Sequence, residues 1–96
     1  MDYEFKTTFW SDFTIADAFG IGAVKDTYKR AFDEWHSDVV FVTELALVMN
    51  WKCWWHYERG NEELARLYSD LYYEVDAWCY DNLKGDDLTY YWRTTD

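Results

Sequence analysis

SDVVFVTELALVMNWKCWWHYERG, residues 37–60, holds no glycine or proline between its first and last positions. Its apolar residues do not keep to one side of a helix. Phe41, Leu45, Val48 and Trp55 make one stripe at helical spacing, and Val42, Met49 and Cys53 a second. Val40, Leu47, Trp51 and Trp54 make a third. A helix that is apolar all round is a buried helix, so residues 38–59 read as a central helix against which the rest of the chain packs.

Outward from it, Ser37 or Asp38 supplies an N-cap and Gly60 the stop. Gly60-Asn61 is a corner, and Asn61 caps a following helix from Glu62 to about Leu83, with Glu62 and Glu63 in its first turn. Along that helix Leu64, Leu67, Tyr68, Leu71, Val75, Trp78 and Asn82 trace one stripe. So short a corner makes an antiparallel hairpin. Its register predicts Trp55 near Leu64 and Leu67, Val48 near Leu71 and Tyr72, Leu45 near Val75, and Phe41 near Trp78.

Upstream, Val24, Tyr28, Ala31, Phe32 and Trp35 form an amphipathic stripe for a helix from about Ala23 to Trp35 or His36. Gly22 is its cap, and Lys29–Asp33 is an i,i+4 pair on its outer face. Before Gly20, a short helix from Phe9 to Phe19 starts from a Thr8 cap and gathers Phe9, Phe13, Ala16 and Phe19 on one face. Residues 2–7 are an entry segment in which Phe5 docks. At the other end, GDDLTYYWRTTD gives one helical turn capped by Asp86 or Asp87. There Leu88 and one or two of Tyr90, Tyr91 and Trp92 cover an open end. The expectation is an all-α fold: a single-domain compact helical bundle of about four helices around a buried central helix.

Ninety-six residues leave room for one core. The absence of proline and the four glycines agree with the helical reading. Seven tryptophans, nine tyrosines and six phenylalanines exceed what so small a core hides, so some rings stand half exposed. The net charge of −10 repels nucleic-acid phosphates and anionic membranes and attracts basic partners. The same repulsion predicts a melting temperature that rises from low to moderate salt, and a flat or falling one contradicts it. An acidic N-terminal stretch without an apolar core is unlike a signal peptide, and no apolar run approaches a membrane span. Two cysteines without a disulfide framework fit a reducing cytoplasm.

Candidate chemistry is sparse. Cys53 and His56 are spaced as metal ligands on one helix, and His36 and Cys79 invite inclusion. The hairpin register sets Cys53 beside residue 68, about eleven residues or 16 Å from Cys79, too far for a shared ion or a disulfide. These cysteines read as small core residues and the histidines as partly exposed ones. Asp33-Glu34, Glu62-Glu63 and Asp86-Asp87 sit where helix caps and solvated charge account for them. Gly20-x-Gly22 follows a helix and lacks a third glycine. The expectation is no enzyme, no catalytic residue, no metal and no cofactor.

More informative is the outer face of the Glu62–Leu83 helix, where Arg66, Asp70, Tyr73, Glu74, Ala77, Tyr80, Asp81 and Lys84 fall together. Carboxylates interleaved with tyrosine suit a basic, phosphate-binding groove, the acids standing in for phosphates and the rings anchoring. Asp70, Tyr73, Glu74, Tyr80 and Asp81 are the expected partner-binding residues. The partner would be a basic protein, a nuclease or other nucleic-acid-binding protein, with no direct contact to nucleic acid or membrane. The alternative is a homodimer or larger self-assembly in which Trp54, Tyr72 and Tyr90 bury against a second copy. A small molecule held between helices is a third reading.

The segments TTFWSDFTIADAFG and FVTELALVMNWKCW resemble the small acidic helical proteins of gut-dwelling Firmicutes and their mobile elements. That resemblance covers about the first half of the chain and implies a setting, not an activity. In size and charge the chain is also similar to phage-borne inhibitors of restriction or CRISPR nucleases and to bacteriocin immunity proteins. It shares no residue motif with them, so no site is carried over.

Overall fold

The computed structural model describes residues 8–96 and is all-α, with five helices and, among the described residues, no strand. They are α1 (Thr8–Phe19), α2 (Ile21–Trp35), α3 (Val39–Glu58), α4 (Glu62–Asn82) and α5 (Asp86–Thr95). The expectations for residues 2–7 and for the Thr8 cap lie outside what is described. α3 and α4 pack most extensively, and α3 also touches α1, α2 and α5. The radius of gyration, 12.8 Å, is that of a compact chain of this length.

The boundaries follow from local chemistry. Asp38 caps α3: its Oδ1 accepts from the backbone N–H of Val40 at 2.9 Å and of Phe41 at 3.3 Å. The α1–α2 connection is the single residue Gly20, at φ 104°, where a side chain would be strained. α2 therefore begins at Ile21, two residues before the sequence suggests, with Gly22 inside it. Gly60, at φ 77°, turns the chain between α3 and α4. The tail forms a full helix, α5, and Tyr91 is its buried member.

Several expected stripes are present. Val24, Tyr28 and Ala31 of α2, Phe9, Phe13 and Ala16 of α1, and Leu67, Tyr68, Leu71 and Val75 of α4 are buried. Cys53 lies against Ser69, close to the predicted hairpin register. Four readings need correction. Phe19 is 79 % exposed rather than part of the α1 core face, because α1 ends there and the chain turns away at Gly20. Asn82 is exposed, its side-chain amide donating to the Trp78 carbonyl. Lys29 and Asp33 form no ion pair, since an exposed pair gains too little to fix two flexible side chains.

The fourth concerns α3 itself, which is largely buried only between Val42 and Met49; before that stretch Val40 is 43 % exposed. Val42 and Thr43 are buried, as are Leu45 through Met49. Beyond Asn50 only Lys52 and His56 are buried, while Trp54, Trp55 and Tyr57 are exposed. In this part the side-chain ties run to α1 and α4, which cover two sides and leave the rest to water. Trp55, expected in the seam near Leu64 and Leu67, is 37 % exposed, and the Arg59 guanidinium lies over its ring at 3.7 Å. At the opposite end the rings at the end of α2 enter the seam. Trp35 meets Phe41, while Phe32 and His36 meet Trp78.

Candidate functional site

The predicted α4 face is present as an exposed strip. Asp70, Glu74 and Asp81 are exposed, and Tyr73 and Tyr80 stand between them at 66 % and 50 % exposure. Helical spacing of three and four residues sets them on one side, opposite buried Leu71, Val75 and Cys79. Each tyrosine ring leans on another: Tyr73 on Tyr72, and Tyr80 edge-on against buried Tyr91. Tyr91 in turn donates to Asp76 Oδ1 at 2.6 Å, tying α5 to α4 beneath this face. Burial and that carboxylate raise the Tyr91 phenol pKa above its usual range. Among the described residues the only ion pairs are those of Asp17, so Asp70, Glu74 and Asp81 have no basic partner there.

The second site was not anticipated from the sequence. Asp17 of α1 accepts from three side chains that come from two other helices. Lys52 Nζ donates to Oδ2 at 3.0 Å, and His56 Nε2 stands 2.8 Å from the same oxygen. Tyr68 donates its phenolic proton to Oδ1 at 2.5 Å. Lys52 also donates to Thr14 Oγ1 at 2.7 Å, and its ammonium lies 4.4 Å from the Trp10 ring centre and 5.3 Å from that of Trp55. All three ammonium protons thus have an electron-rich neighbour. Asn61 Nδ2 lies 3.1 Å from His56 Nδ1. With Asn61 donating there, the imidazole carries its proton on Nε2 and donates to Asp17. Contrary to expectation Asn61 gives α4 no side-chain cap; its amide nitrogen is turned toward the histidine instead. His56 is 2 % exposed, not partly exposed, and stacks on Tyr68 at 5.5 Å.

The Lys52 ammonium is buried against a half-buried carboxylate, and both Asp17 oxygens are occupied. Burial raises the Tyr68 pKa, and donation to Asp17 raises it further, so the phenol stays neutral. An ammonium locked onto a carboxylate is not a nucleophile. Two surface grooves, one between α1 and α2 and one at Gly20, Ile21 and residues 61–64, are lined by neither Lys52, His56, Tyr68 nor Asp17. The arrangement braces α1, α3 and α4 together. A signal for it exists in the sequence: Lys52 and His56 continue the 3–4 spacing of Leu45 and Val48, and Asp17 that of Phe13. Charged residues on a core stripe announce a buried network.

Burial, and after it the neighbouring Asp76 carboxylate, push the Cys79 thiol up to about 12, while a hydrogen bond with Tyr91 works the other way. Cys53 lies against Ser69 instead. Among the described residues no three histidine, cysteine or acidic side chains converge as metal ligands, and no helix is long and apolar enough to cross a membrane. The chain matches no protein-family model, and neither the curated proteins nor the solved structures contain a match to it.

Proposed function

We propose that this protein is a non-enzymatic acidic binding protein of the nucleic-acid-mimic type. It occupies a basic surface of a nucleic-acid-handling protein through the outer face of α4. The observation that carries this is the state of Asp70, Glu74 and Asp81. They are exposed, form no ion pair among the described residues although Arg66 and Lys84 share the face, and alternate with two exposed tyrosines. Unpaired carboxylates on a rigid helix present negative charge at fixed spacing, which steers association and selects basic partners. Tyrosine adds apolar contact area with a polar tip at small entropic cost. The braced core beneath fits such a role, since a preorganised face loses little freedom on binding. The setting we infer is a mobile element of gut-dwelling Firmicutes, with the protein acting stoichiometrically in the cytoplasm.

The test compares the protein with its Asp70→Lys/Glu74→Lys/Asp81→Lys variant as immobilised bait for DNA-binding nucleases. The expected result is capture by the parent only, displaced by duplex DNA and weakened steeply by salt. Capture that survives the triple reversal removes this face from consideration. A second reading, self-association, is favoured by the exposed Trp54–Tyr57 pair, whose rings meet edge-on at 5.9 Å, and by the exposed Tyr90. Tyr72 is only partly exposed and contributes less. Sedimentation separates the two: a stable dimer favours self-association, a monomer the acidic-face reading.

A further inference from the structure

α1 and α2, joined through Gly20 alone, leave a groove of about 580 Å³ between them. Its α1 wall presents Phe9, Ile15, Ala16 and Phe19, and its α2 wall Ala23, Ala31 and Trp35. Two of these are wasted on water in the free protein, Ile15 at 61 % and Phe19 at 79 % exposure. The rim is charged and one-sided: Asp12, Asp26 and Glu34 against Arg30. None of these four makes an ion pair among the described residues.

We propose that this groove is a docking site for a basic amphipathic helix of a partner protein. The contributing residues recur at helical spacing on both walls, from Phe9 to Phe19 and from Ala23 to Trp35. The longer stripe runs about 18 Å, which matches a helix of about twelve residues. An apolar floor accepts anchors at i, i+3, i+4 and i+7, and acids on the rim meet lysine or arginine flanking those anchors. Charge selects this occupant over a second copy of the chain, which carries −10 and an identical acidic rim. The inference does not rest on the α4 face, which belongs to another helix.

The probe is a synthetic peptide of about twelve residues, with leucine at helical anchor spacing and lysine elsewhere. Its control replaces every lysine by glutamate. Binding is followed by fluorescence anisotropy of the labelled peptide and by amide shifts of the isotope-labelled protein. The lysine peptide is expected to saturate, with shifts centred on Asp12–Phe19 and Ala23–Trp35, and the glutamate peptide not to bind. Phe19→Lys, at an exposed position that leaves folding intact, should weaken binding about tenfold or more. Asp12→Lys/Asp26→Lys should do likewise, while Asp70→Lys/Glu74→Lys/Asp81→Lys should keep the groove shifts. The proposal is overturned by equal binding of both peptides, by shifts centred on α4, or by affinity unchanged in Phe19→Lys. Groove shifts that follow protein concentration without peptide also overturn it, since the occupant is then a second copy.

Discussion

Replacing Asp17 by alanine removes the acceptor shared by Lys52, His56 and Tyr68, and its cost can be worked from the geometry. Lys52 is 1 % exposed and the Asp17 side chain 12 % exposed, so the ammonium loses its counter-charge at a site that little water reaches. Breaking a buried pair from one side costs about 3–5 kcal/mol, because a charge is left uncompensated. Thr14 and the two indole rings still face the ammonium, and water reaches the carboxylate edge, which places the value near the lower end, about 3 kcal/mol. For 96 residues the unfolding entropy near the midpoint is about 0.2 kcal/mol/K, so the melting temperature should fall by about 15 °C. Urea unfolding followed by tryptophan fluorescence gives the free energy directly. Lys52→Met alone should cost less, since Asp17 keeps two hydrogen-bond partners, His56 and Tyr68. Asp17→Ala/Lys52→Met should recover about 2 kcal/mol relative to the sum of the single changes, as coupled partners do. A loss below about 1 kcal/mol for Asp17→Ala, or additivity within about 0.5 kcal/mol, refutes the brace.

Three further outcomes are expected. Tyr68 and Tyr91 hold their protons to higher pH in the folded chain than the free phenol value of about 10. Above that value the unfolded chain sheds protons that the folded chain keeps, so stability is full below pH about 10 and falls as pH rises beyond it. Urea midpoints should therefore decline above pH about 10, and less so in Tyr68→Phe than in the parent; a flat profile contradicts this. Cys79, buried with its thiol held at about 12, should react with a thiol reagent at pH 8 only as fast as the protein opens. Mass spectrometry finding Cys79 labelled as quickly as Cys53 would show the site to be open. Thr43 is fully buried and its hydroxyl has no hydrogen-bond partner among the described residues, so Thr43→Val should be neutral or stabilising by about 1 kcal/mol. Measured destabilisation would mean that the hydroxyl has an acceptor.

The sequence by itself determined the all-α class, most of the helix stripes, an α3 cap at Ser37 or Asp38, and the acidic strip of α4. Each follows from residues within a few positions of one another, where helical periodicity and capping chemistry act locally. Its net charge is likewise a sum that needs no fold. Only the tertiary structure decided that Asp17 meets residues 35, 39 and 51 positions away in the chain. It also decided that Asn61 serves His56 rather than its own helix, and that Trp54 and Trp55 face water while Lys52 does not. Hydropathy ranks those residues the other way round. What overrides it is pairing: a charge goes inside when packing brings it a counter-charge, and an indole stays outside when no neighbouring helix reaches over it.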